Sequence, residues 1–163
     1  MKRKENCGEA AEERLVEELL KRNWLVTTVE SCTGGMVSSR IVNVPGASEV
    51  LREAFVTYCD EAKMKLVGVR KETLEKYTAV SAQTAEEMAL GGLAAAEADM
   101  ALSVTGLAGP GGGTKERPVG LVYVGCAIHG QTFVRELHLS GSRQAIREQA
   151  AEEALRLALT AFA

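Results

Sequence analysis

Serine, cysteine, tyrosine, lysine and arginine side chains gather in four short stretches of this chain. In the first, Glu30-Ser31-Cys32-Thr33-Gly34-Gly35, two hydroxyls and a thiol crowd onto one turn. A serine hydroxyl attacks a carbonyl only when a base removes its proton, whereas a thiol is intrinsically the better nucleophile at neutral pH. Ser31 and Cys32 are both candidates, and the glycine pair lets a ligand approach the backbone closely. The same letters also make an ordinary capped turn, since Ser and Thr are good helix caps.

A serine nucleophile needs a base. The chain has only two histidines, His129 and His138, one in a hairpin turn and one in the last strand. Neither follows a parallel strand end, which disfavours a Ser-His-Asp triad. Lysine is the next candidate. In the second stretch Lys63 stands five residues after Tyr58. Desolvation or a nearby positive charge lowers a lysine pKa and permits base chemistry near neutrality. The pair differs from the Tyr-x-x-x-Lys of short-chain reductases by one residue, which puts the two groups on different faces of a helix. No Gly-x-Gly-x-x-Gly follows the first strand either. A strand-end tyrosine and a helix-start lysine can still converge.

The third stretch is the glycine-rich loop 105–114, whose successive N–H groups suit an anion. It is not a Walker A loop, because Thr114-Lys115 stands where Gly-Lys-Ser/Thr is needed, so ATP hydrolysis is disfavoured. The fourth is Arg143 and Arg147, four apart on the last helix, either a paired guanidinium clamp for phosphate or a solvated face. No His-Glu-x-x-His, Cys-x-x-Cys or Asp-x-Asp run is present, and the chemistry is expected to need no metal.

The elements that position these groups follow from periodicity. Helices are expected over about 8–22, 34–43, 60–67, 71–76, 82–97 and 143–161, with a short turn capped by Ser48. Asp60 is expected to cap the 60–67 helix. Strands are expected over 24–29, 54–59, 100–104, 119–128 and 132–139, the last two joined by His129-Gly130 as an antiparallel hairpin. Right-handed crossovers make the first three strands parallel. The result is an α/β fold: a mixed sheet covered by helices on both faces. Ligands of such sheets bind beyond the carboxyl ends of the strands, where the first three stretches emerge.

Composition bounds the rest. The 163 residues suit one domain, 1–163, able to bury a full core. Hydrophobic residues make up 46% and charged residues 25%, as in soluble globular proteins. A net charge of −3 argues against nonspecific nucleic-acid binding. No apolar run approaches a membrane span, and no signal-peptide core follows the basic N-terminus. A cytoplasmic location is expected, with Cys7, Cys32, Cys59 and Cys126 as free thiols.

Five motifs occur in order: Glu30 to Gly35, Val44-Pro45-Gly46-Ala47-Ser48, Tyr58-x-x-Glu61-Ala62-Lys63, Val104-Thr105-Gly106-Leu107-Ala108-Gly109-Pro110 and Pro118-Val119-Gly120. Through them nearly the whole chain resembles the CinA C-terminal-domain family, whose enzymatic members are nicotinamide-nucleotide amidohydrolases. It resembles the stand-alone, PncC-like form, without the larger N-terminal domain of full-length CinA proteins. The resemblance implies hydrolysis of nicotinamide mononucleotide to nicotinate mononucleotide and ammonia, without a cofactor. It implies a three-layer α/β/α sandwich with a mixed, mostly parallel five-stranded sheet, and a homodimer or higher homo-oligomer.

By position, it makes Ser31 the nucleophile, Lys63 its general base, and Tyr58 the group that relays or orients the proton. N–H groups around Cys32 to Gly35, or in the 105–109 loop, hold the oxyanion. Thr33 becomes a helix cap, and Gly34-Gly35 leave room for substrate. Thr105, Gly106 and Arg143 help bind the phosphate, with Gly109 and Arg147 also among the substrate-binding residues. Two departures stand out: Cys59-Asp60 replaces the usual Ser/Ala-Asn, and Glu53-Ala54 the usual Gly-Gly. The Asp60 charge should raise the Lys63 pKa and weaken it as a base. The alternative function is a catalytically silent nucleotide-binding or regulatory module on the same scaffold.

Overall fold

The computed structural model describes residues 9–163. Cys7 and the expected start of the first helix at residue 8 lie outside the described residues. In order come α1 (Ala11–Arg22), β1 (Val26–Glu30), α2 (Met36–Val42), α3 (Ala47–Val50), β2 (Phe55–Val56), α4 (Asp60–Val67) and α5 (Lys71–Tyr77). α6 (Ala82–Ala95), β3 (Met100–Gly106), β4 (Leu121–Ile128), β5 (Gln131–His138) and α7 (Arg143–Thr160) complete them.

The five strands form one sheet in the order β2-β1-β3-β4-β5. β1 runs parallel to β2 and β3, and β4 is antiparallel to β3 and β5. One strand therefore opposes the other four, as the crossovers and the hairpin dictate. Alternation along the strands splits the core into two layers. Val26, Met100, Leu102, Val104, Val122 and Val124 pack against α1, α2, α3 and α7. Val29 meets α4, α5 and α6 on the opposite face with Val67, Leu74 and Met88. The fold is the expected three-layer sandwich.

Several boundaries shift for local reasons. β2 pairs over two residues instead of six, because its last partner, Glu30, ends β1. Thr57 N–H still reaches Glu30 O at 2.8 Å before the chain turns into α4. Cys59 takes the cap position of α4 and Asp60 is its first residue. Gly46, not Ser48, precedes α3. α2 starts at Met36 rather than 34, since Gly34 and Gly35 have φ of 56° and 105°. Only glycine takes such values without strain.

Thr33 is not the cap of α2. Its hydroxyl is buried without a partner. The capping group is Glu30, wholly buried at the end of β1. Its carboxylate accepts from Val37 N–H at 2.8 Å and Ser38 N–H at 3.1 Å, satisfying two donors that a helix start leaves open. On the other face α6 presses unusually close. A Cβ on Gly92 would come within 2.3 Å of Val29 Cγ2. The Ser103 hydroxyl donates to Ala85 O at 2.6 Å and that of Thr105 to Ala79 O at 2.7 Å. These contacts tie the carboxyl end of β3 to the approach into α6.

Candidate active site

Ser31 is the first residue beyond β1, and its N–H donates to Val104 O on β3 at 2.9 Å. The hydroxyl is thereby anchored at the carboxyl ends of the two central parallel strands. Lys63, in the first turn of α4, sends its side chain inward and is 1% exposed. Its Nζ donates to Thr57 O at 2.8 Å and lies 3.1 Å from Ser31 Oγ. Among the described residues no carboxylate bonds to it. Burial pulls the Lys63 pKa below the ordinary lysine range, while Asp60, Cys59 and Cys32 act in the opposite direction. The expected effect of Asp60 has the right sign, but desolvation outweighs it. Lys63 is therefore better suited to act as a base than an exposed lysine.

Cys32, the rival nucleophile, differs in kind. Burial pushes its thiol up to about 11, partly offset by Arg147. A thiol with that pKa is almost wholly protonated at neutral pH, which removes the thiolate that gives cysteine its advantage. Cys32, Cys59 and Cys126 are all free. His129 packs edge-on against Trp24 with ring centroids 4.7 Å apart, and His138 bonds Glu136, so neither histidine approaches Ser31.

A cleft of about 270 Å³ opens above Ser31 and Lys63, walled by Tyr58, Thr105, Gly109 and Arg143. The exposed Tyr58 ring stands at its mouth, and its hydroxyl accepts from Arg143 Nη2 at 2.9 Å. In this geometry Tyr58 bonds neither Ser31 nor Lys63. Arg143 Nη1 donates to Gly109 O at 2.7 Å, so this arginine spans the cleft from the tyrosine to the glycine loop. The N–H groups of Ala108, Gly109 and Gly111 meet no protein acceptor among the described residues. Gly106 has a packing role as well: a Cβ there would come within 2.5 Å of Val122 Cγ2.

The two arginines do not form a joint clamp. Arg147 turns away from the cleft and donates through Nε to Cys32 O at 2.9 Å and through Nη2 to Thr33 O at 3.1 Å. Gly34 and Gly35 also lie outside the Ser31 cleft. They border a neighbouring hollow of about 470 Å³ with Met36, Ser39, Arg40 and Glu148. A Cβ on Gly34 would make only ordinary contact with the Arg147 guanidinium, at 3.5 Å, so it is the φ of 56° that favours glycine there. Glu30 is the residue whose part in shaping the site sequence reasoning overlooked, as the buried cap of α2. Its signal was a carboxylate closing an apolar strand just before a helix start.

A buried serine–lysine pair beneath a strand-end cleft, on a three-layer α/β/α sandwich, defines a class of domain. The description "CinA C-terminal domain" matches residues 8–162, and the chain belongs to this family, which includes enzymes. A putative competence-damage inducible protein of Clostridium novyi is 52% identical over 144 residues, covering 88% of this chain and 35% of that protein. A CinA-like protein of Kosmotoga olearia is 52% identical over 149 residues, covering 91% of this chain and 36% of that protein. The chain thus spans about a third of the length of these relatives. Among solved structures, a CinA superfamily protein from Escherichia coli superposes with a TM-score of 0.87 at 35% identity, covering 91% of this chain and 88% of that one. A competence or damage-inducible protein from Enterobacter asburiae gives 0.89 at 36% identity, covering 96% and 100%. Among the described residues no helix is long and apolar enough to cross a membrane.

Proposed function

We propose that this domain hydrolyses the carboxamide of nicotinamide mononucleotide, giving nicotinate mononucleotide and ammonia. The observation that carries the reading is the Lys63 amine, buried, bonded to no carboxylate among the described residues, and 3.1 Å from Ser31 Oγ. A neutral lysine at that distance accepts the serine proton as Oγ bonds to the amide carbon, and the carbonyl electron pair moves onto oxygen. Lys63 then gives the proton to the amide nitrogen, the C–N bond breaks, and ammonia leaves Ser31 acylated. Water repeats the sequence: Lys63 takes its proton, the oxygen adds to the acyl carbon, and Ser31 Oγ departs with the proton restored. Thr57 O holds Nζ throughout.

The nucleotide part of the reading rests on the opposite wall. Arg143 and the free N–H groups of Ala108, Gly109 and Gly111 offer positive charge and donors to a phosphate, although the chain as a whole is acidic. Tyr58 keeps Arg143 in line with that wall. A proton relay through Tyr58 requires its hydroxyl to leave Arg143. The test is ammonia release from nicotinamide mononucleotide by the purified protein. Turnover that disappears in Ser31→Ala is expected. Nucleotide binding without ammonia release overturns the amidase in favour of a silent binding module.

A further inference from the structure

The turn carrying Ser31 leaves two backbone donors without a partner on any other described residue. Gly34 N–H closes on Ser31 O at 3.1 Å, and neither Cys32 nor Thr33 has a positive φ. Turns of types II, I′ and II′ each need a positive φ at a central position, so this one has the helical sense of type I. Its central N–H groups leave by one end and its carbonyls by the other, as in the first turn of a helix. Among the described residues the N–H groups of Cys32 and Thr33 meet no acceptor on another residue. Cys32 lines the cleft beside Ser31 and Lys63.

The carbonyl end is held from far away. Arg147, on α7, grips Cys32 O and Thr33 O together. Within a planar trans peptide the C=O and N–H point in opposite directions. Holding Cys32 O therefore aims the Thr33 N–H, just as the Gly34 bond to Ser31 O aims the Cys32 N–H. A guanidinium at the carbonyl end also complements the dipole of the turn.

We infer that the Cys32 N–H, backed by that of Thr33, receives the oxygen that becomes negative when Ser31 adds to a carbonyl. Arg147 is the positioning residue that keeps these donors aimed. This rests on the amidase reading. In the step concerned the Ser31 Oγ–C bond forms, the carbonyl pair moves to oxygen, and the serine proton passes to Lys63. The amides of the 105–111 loop stay with Arg143 for the phosphate.

Steady-state kinetics on Arg147→Ala and Arg147→Lys test this, together with binding of pyridine-3-boronic acid, which mimics the tetrahedral oxygen once bonded to Ser31. Loss of one oxyanion donor costs about 100- to 1,000-fold in kcat. For Arg147→Ala a loss of about 100-fold in kcat is expected with KM nearly unchanged, boronate affinity falling in parallel, and Arg147→Lys intermediate. A raised KM with normal kcat assigns Arg147 to the phosphate and overturns the inference. So does a lower melting temperature with kcat, KM and boronate affinity unchanged. In the wild-type protein the Cys32 amide proton should move downfield on boronate binding; an unmoved amide overturns the inference whatever the variants do. Boronate binding that depends on Arg147, without ammonia release by wild type, would sink the substrate reading and leave this one standing. Ammonia release by wild type with an indifferent Arg147→Ala would do the reverse.

Discussion

Ser31 and Cys32 are adjacent, and the side chains around them decide which one reacts. Lys63 reaches the serine oxygen, while burial keeps the Cys32 thiol protonated with its pKa near 11. Ser31→Ala should therefore abolish turnover, and Cys32→Ala should keep most of it in an ammonia-release assay. The reverse pattern would transfer the nucleophile to Cys32. In the proposed mechanism Lys63 acts only when neutral, and burial lowers its pKa while Asp60 raises it. The rate should climb with pH and level off above the Lys63 pKa, at a point below that of an exposed lysine. Removing the aspartate charge in Asp60→Asn lowers this pKa further, so the rising limb should move to lower pH. A limb that stays in place would detach it from Lys63. Lys63→Ala should cost at least ~100-fold, the lower range for loss of a general base.

At the scale of elements, the site depends on how α2 begins. The Glu30 carboxylate takes the Val37 and Ser38 N–H groups through separate oxygens, and Thr28 donates to it from the same strand. Glu30→Gln replaces one acceptor with an NH₂ group facing a buried donor. An unsatisfied buried polar group costs about 1–3 kcal/mol. For a domain of this size each kcal/mol moves the melting temperature by roughly 2–4 °C. Glu30→Gln should therefore melt several degrees lower, with a lower denaturant midpoint and an unchanged denaturant slope. A midpoint equal to wild type would reduce Glu30 to a bystander. The sequence suggested a cap from Thr33, by ordinary propensity. It could not reveal that Gly34 and Gly35 take positive φ, move the helix start to Met36 and leave Thr33 behind.

For the molecule as a whole, the strand directions and a cleft at the strand ends were legible from local signals, whereas the order β2-β1-β3-β4-β5 was not. Short crossovers are right-handed, and His129-Gly130 permits only a hairpin, so the parallel and antiparallel directions followed. Ser31 and Lys63 converge because both follow adjacent parallel strands. Arg147 was not legible, because its target lies 115 residues away and depends on the rotation of α7 about its axis. Tyr58 bonding Arg143 is another pairing across 85 residues. These two long-range contacts tie the last helix to the mouth of the cleft and to the turn after β1. A ligand in the cleft should therefore resist unfolding of the whole domain, not of a loop alone. Nicotinate mononucleotide, the product on the proposed reading, would add about 2.7 kcal/mol at 100 times its Kd. At roughly 2–4 °C per kcal/mol, the melting temperature should rise by about 5–10 °C. Arg143→Ala removes the cationic side of the proposed phosphate wall and should shrink that rise at the same ligand concentration. Equal rises in both proteins would place the phosphate elsewhere, and no rise in wild type up to millimolar ligand would remove the pyridine nucleotide from the cleft.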